Sequence, residues 1–67
     1  MKMTNDFTFE EFLKQLDEGQ IFKFEDPSGT AYVRKRGDSY YLKTYYTKLI
    51  YQSDLRIIFN SNKMEVI

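Results

Sequence analysis

The chain has 67 residues, in which ten basic side chains balance ten acidic ones, and it contains neither cysteine nor histidine. Disulfides and the usual zinc sites are thereby excluded, as are catalysis by imidazole and by thiolate. What remains is one small domain, 1–67, that must build its core from six Phe and six Tyr. A chain this short buries a modest share of its surface, so a homo-oligomer is expected to extend that core.

The charge is uneven along the chain. Through Asp26, seven acidic residues face three basic ones, a net of −4; from Pro27 onward seven basic face three acidic, a net of +4. A uniformly basic nucleic-acid binder is disfavoured and a polarised surface is expected. No apolar run approaches the roughly 18 residues of a membrane span, so no membrane partner is expected. No apolar secretory segment opens the chain either, and a cytoplasmic location follows as an expectation.

Met1 to Asp6 is polar and is expected to fray. In Phe7-Thr8-Phe9-Glu10-Glu11-Phe12, Thr8 as N-cap puts Glu11 at the third helical position. That is a capping box, in which each side chain bonds the other's free backbone N–H. Phe7 and Phe12 stand where a hydrophobic staple belongs. Phe9, Phe12, Leu13 and Leu16 form one apolar stripe, and Gly19 supplies the stop. The spacing predicts a helix over 9–18.

Residues 20–25 alternate and predict a first strand with Phe22 and Phe24 inward. Asp26-Pro27-Ser28-Gly29 is a turn. From Ala31 to Tyr46, two β-prone runs flank Gly37-Asp38, a pair suited to a type II′ hairpin. A two-residue turn there sets Arg36 opposite Ser39, Arg34 opposite Tyr41 and Tyr32 opposite Lys43. Alternation then sorts the faces. Ala31, Val33, Tyr40, Leu42 and Tyr46 form a core face, with Lys35 at its end. Tyr32, Arg34, Arg36, Tyr41, Lys43 and Tyr45 form an aromatic and basic outer face.

Residues 47–52 read either as a continuation of the third strand or as the start of a crossover. Ser53 then resembles an N-cap, and Leu55, Ile58 and Phe59 share a helical face, so a short helix over 54–60 is preferred. Arg56 to Phe59 is equally compatible with a strand. Residues 63–67 predict a short last strand with Met64 and Val66 inward. The fold class is α+β: an N-terminal helix packed on a small antiparallel meander, with a short second helix and a short C-terminal strand.

No constellation of catalytic groups is present, and the three glycines stand singly at element ends rather than in a phosphate-binding loop. The adjacent carboxylates Glu10/Glu11 and Asp17/Glu18 diverge by about 100° on a helix and do not converge on one ligand. A non-enzyme without cofactor or metal is expected. The six residues Tyr32, Arg34, Arg36, Tyr41, Lys43 and Tyr45 are the candidate partner-binding set. Tyr and Arg are enriched at protein–protein hot spots. They also suit single-stranded nucleic acid or a nucleotide, by stacking and phosphate contact. They also pair across strands simply to stabilise a solvated face.

The run from Phe9 to Ile21 resembles the helix–Gly–basic-strand opening of short accessory proteins of Gram-positive phages. Ser53-Asp54-Leu55 followed by Met64-Glu65-Val66-Ile67 is similar to the ending of the same group, where an acidic-leucine helix precedes a Trp-Glu-Val strand. The Thoeris anti-defence sponges, which bind a cyclic nucleotide signal, belong to this broad type. This chain has Met64 in place of the terminal Trp, no Trp after the first strand and a longer gap after Asp54, so no ligand-binding residue is carried over. The resemblance implies a phage or mobile-element accessory role, acting in the host cytoplasm, rather than any particular ligand. Together with the Tyr/Arg/Lys face, the expectation is a protein that acts by binding and inhibiting a host defence or metabolic protein.

Overall fold

The computed structural model describes residues 4–67 and has the expected α+β class. In chain order come α1 (Phe9–Asp17), β1 (Phe22–Asp26), β2 (Gly29–Arg36), β3 (Ser39–Lys43), β4 (Thr47–Ile50), α2 (Gln52–Ser61) and β5 (Glu65–Val66). The strands form one antiparallel sheet in the order β4-β3-β2-β1-β5. It has five strands, where the sequence predicted a meander with one short strand to add.

Helix α1 starts as the local chemistry dictates. Thr8 N–H donates to the Glu11 carboxylate at 2.8 Å, and Glu11 N–H donates to Thr8 Oγ1 at 3.1 Å. Gly19, at φ 97°, takes the left-handed turn that ends the helix. Phe7 turns its ring onto Phe22 and Phe59, with centroids 5.9 and 5.5 Å away. Its ring contacts therefore lie on two elements distant in sequence, β1 and α2, rather than on Phe12 as a local staple would have it.

The first turn places Asp26 opposite Gly29, and the Asp26 carboxylate accepts from Ser28 N–H and Oγ–H at 2.7 and 2.8 Å. The hairpin β2–β3 has the register expected around Gly37-Asp38. Gly37 sits at φ 62° and Asp38 has no positive φ, which is the II′ pattern.

Past Lys43 the structure departs from the expected hairpin. Thr44 N–H donates to the Tyr46 carbonyl at 3.1 Å, and the chain reverses there. Tyr45 and Tyr46 therefore lie in a turn, not on opposite faces of a longer strand. The physical reason is that the ladder ends at the Lys43–Thr47 pair, beyond which pleat alternation no longer applies. Residues 47–50 neither prolong β3 nor begin a crossover; they fold back on it as β4.

Helix α2 begins earlier than Ser53 would set it. Tyr51 occupies the cap position, and its N–H donates to Asp54 Oδ2 at 2.9 Å. The strand alternative for Arg56 to Phe59 is not adopted. Leu55 and Phe59, four residues apart, are buried while Ile57 between them is 66% exposed, which is the helical and not the alternating pattern. From the β4 edge, α2 leads the chain to β5 at the opposite edge. Met64 is buried, as expected, but Val66 is 53% exposed. Its register opposite Phe22 puts it on the core side, yet it stands on the outermost strand.

The core lies on one face only. Phe9, Phe12 and Leu16 of α1 and Leu55 and Phe59 of α2 meet Phe22, Phe24, Ala31, Val33 and Ile50 of the sheet. Phe12 is its hub, edge-on to Phe22 at 4.9 Å and stacked on Phe59 at 5.2 Å. Arg56 of α2 lies over the Phe9 ring at 4.5 Å, tying the two helices.

The fraying expected for 1–6 concerns, at 1–3, residues outside those described. At Asn5 it is corrected: that side chain is buried and bonded to the end of α2 and to Met64. Thr4 Oγ1 also donates to the Asn60 carbonyl at 3.1 Å.

Candidate partner-binding face

Both helices pack on the same side of the sheet, so among the described residues no layer covers the other side. The strands present there the residues that pleat alternation assigns to it. Arg34 stands opposite Tyr41, and Tyr41 opposite Leu49 on β4. One pair further along, Tyr32 stands opposite Lys43 and Lys43 opposite Thr47. On the other flank Lys23 faces Tyr32 and Glu65.

Five of the six predicted residues, Tyr32, Arg34, Arg36, Tyr41 and Lys43, line a single open depression of about 640 Å³. Its volume falls within the range of roughly 300–1,000 Å³ typical of ligand pockets. Tyr45 is not brought into it. It stands in the β3–β4 turn, 86% exposed, and this corrects its assignment to the hairpin's outer face.

Three further residues complete the depression: Ile21, Thr47 and Ile67. Ile67 N–H bonds the Ile21 carbonyl at 3.2 Å, so the two isoleucines close one end as a pair. The parity of Ile21 with Lys23 was a usable signal for the first, and the alternation of Thr47 with Leu49 for the second. Nothing local marked Ile67, whose place depends on β5 joining β1.

The electrostatics of the face follow from what its cations lack. Among the described residues the one ion pair joins Lys35 to Asp17, on the helix side of the sheet. The Asp17 carboxylate, hydrogen-bonded to Lys35 Nζ, holds that ammonium's pKa above its ordinary value. Among the described residues Arg34, Arg36 and Lys43 have no such partner. Acidic residues on this face lie toward β1 and β5, and Glu25 there is bonded to Thr30 Oγ1 at 2.6 Å. The exposed carboxylates of α1, namely Glu10, Glu11 and Asp17 with Glu18 as its C-cap, belong to the opposite layer. The three cations of the outer face are thus separated by the sheet from the carboxylates of α1, although Lys14, Lys35, Lys48 and Arg56 share the helix side.

The arrangement offers flat rings, apolar contact and unpaired cations within one concavity. It brings together no nucleophile with a base, and among the described residues no three acidic side chains converge as metal ligands. No described helix is long and apolar enough to cross a membrane. Comparison with protein-family models, with curated proteins and with solved structures finds no match to this chain.

Proposed function

We propose that this chain is a small non-enzymatic accessory protein of the phage or mobile-element type, which binds and inhibits a host defence or metabolic protein through its uncovered sheet face. The observation that carries the reading is the convergence of Tyr32, Tyr41, Ile21 and Ile67 with Arg34, Arg36 and Lys43 in one open depression. Aromatic and apolar contact ringed by Arg and Lys has the anatomy of a protein interface, where Tyr and Arg supply most of the binding energy. The basic rim favours a partner with an acidic surface. The accessory role rests on the resemblance of both chain ends to short Gram-positive phage proteins, and cytoplasmic action goes with it.

The test is capture from nuclease-treated lysate of a Gram-positive host, followed by titration of the purified captured protein. Tyr41→Ala or Arg34→Ala should each weaken binding by at least ~2 kcal/mol. The wild-type affinity should change modestly with salt, because the anchor is a desolvated ring. Unchanged binding by both variants would sink the assignment of this face.

A second reading is favoured by one specific feature, the three unpaired cations beside two Tyr rings. A single-stranded nucleic acid or a nucleotide would set bases on Tyr32 and Tyr41 and phosphates on Arg34, Arg36 and Lys43. Its signature would be sub-micromolar binding of labelled single strands that weakens steeply with salt and vanishes in Arg34→Ala/Arg36→Ala. We expect no tight binding of this kind, because the acidic helix layer leaves the molecule without excess positive charge.

A further inference from the structure

The two edges of the sheet are not alike. At one, β5 pairs over only Glu65 and Val66, a short and therefore blunted edge. At the other, β4 pairs with β3 over four consecutive residues, Thr47 to Ile50, without a bulge or a proline. Its free side presents an unprotected row of backbone N–H and C=O groups, a template for another strand. Lys48 does not guard it, because its register opposite Leu42 turns it toward the helix side.

Exposed apolar side chains gather at the same edge. Of the eight large hydrophobic residues left exposed among those described, five fall between Tyr45 and Ile57: Tyr45, Tyr46, Leu49, Tyr51 and Ile57. Leu49, Tyr51 and Ile57 line one shallow depression with Lys48 and Asp54. Scattered apolar residues need no explanation; a concentration along an open strand edge does.

We propose that β4 pairs with β4 of a second copy of this chain, antiparallel about a two-fold axis normal to the sheet. The symmetry restricts the register. Residues facing each other must point to the same side, which allows registers centred on a residue of the strand. In the one centred on exposed Leu49, Leu49 meets Leu49 of the second copy, Lys48 meets its Ile50 and Thr47 its Tyr51. A register centred on Lys48 would oppose like charges. The chosen one sets Lys48, which has no ion-pair partner among the described residues of its own chain, beside the start of the second copy's α2, where Asp54 stands in the first turn. Two symmetric Lys48–Asp54 pairs then flank the axis. That charge complementarity, with the self-pairing of the edge, selects a second copy over an unrelated strand.

The pairing joins two five-stranded sheets into one, with both uncovered faces on the same side. Across the axis Tyr41 and Leu49 of one copy continue into Leu49 and Tyr41 of the other. Self-association at β4 does not depend on what docks on that face, and its readout needs no host protein.

Sedimentation equilibrium across the micromolar range should give twice the 8.1 kDa chain mass. Leu49→Lys and Ile57→Lys, both at exposed positions, should each weaken association about tenfold or more while keeping the wild-type circular dichroism spectrum. Ile67→Lys, in the depression of the outer face, should leave it unchanged. Raising salt should weaken the wild-type dimer and have little effect on what remains in Lys48→Ala. Independently of any variant, amide exchange at residues 47–50 should slow as protein concentration rises. A monomer at every concentration would overturn the proposal. So would a dimer that survives both Leu49→Lys and Ile57→Lys, or one lost in Ile67→Lys.

Discussion

Asn5 and Met64, 59 positions apart, are joined by a hydrogen bond in which Met64 N–H donates to Asn5 Oδ1 at 2.7 Å. The amide of the same side chain donates to the carbonyls of Phe59 and Asn62 at 2.8 and 3.0 Å. The last carbonyls of a helix have no partner within it, and α2 has neither a C-terminal glycine nor a basic residue in its last turn. Asn5 supplies what they lack, with Asn62 Nδ2 reaching Ile58 and Thr4 reaching Asn60.

Asn5→Ala should therefore lower stability by about 2–3 kcal/mol, since it strands buried backbone groups. Asn5→Asp should cost at least as much at neutral pH, because a carboxylate offers no N–H to the two carbonyls. Urea titration measures both. A loss below about 0.5 kcal/mol in Asn5→Ala, the level of an ordinary surface change, would remove this contact from the account of stability.

Phe12 is fully buried between Phe22 and Phe59. Phe12→Ala should cost about 3–5 kcal/mol through the cavity it leaves, and Thr8→Ala about 1 kcal/mol through the lost cap. Because Phe12 and Phe59 touch, their double alanine variant should cost less than the two single losses added together. Strict additivity in the denaturant midpoints would contradict the stacked pair.

Acid should destabilise the fold through two carboxylates. The backbone N–H and side chain of Thr8 hold the Glu11 pKa below the ordinary value, and the same groups of Ser28 do so for Asp26. A group depressed in the folded state contributes stability that is present above its unfolded pKa and lost as pH falls through its folded one. Thermal midpoints should thus hold level near neutrality and fall on acidification below the ordinary carboxylate range. Glu11→Gln and Asp26→Asn should each flatten that fall. Lys35 has the opposite sign: its raised pKa contributes stability that is present below the ordinary lysine value and lost in strong alkali. Unaltered acid profiles in both variants would refute the assignment.

The outer face should separate binding from folding. Arg34 and Arg36 are exposed and have no ion-pair partner among the described residues, so each alanine variant should shift stability by less than about 0.5 kcal/mol. Their double variant should unfold close to wild type while losing the partner. A large loss of stability would mean that these side chains serve the sheet itself, through cross-strand pairing.

What the sequence alone determined was local. The Thr8/Glu11 box needs three residues of separation, and the Gly37-Asp38 turn sets the register of ten side chains by pleat geometry alone. Tyr32, Arg34, Arg36, Tyr41 and Lys43 were placed on one face for that reason. The turn at Thr44 to Tyr46 was not legible, because no glycine or proline marks it and Thr and Tyr favour strands. Tyr45 went astray with it, and β4 was hidden behind it. Asn5 looked like part of a polar tail, since its partners lie more than fifty positions away. Alternation together with polarity assigned the Phe22, Ala31 and Val33 side to the core; it does not say what fills the ends of the other side. Both helices went to the Phe22 side because Phe7, Phe9, Phe12, Leu55 and Phe59 bury most apolar area against one another there. That choice, together with β5 bringing Ile67 beside Ile21, left the basic face uncovered and gave it an apolar wall.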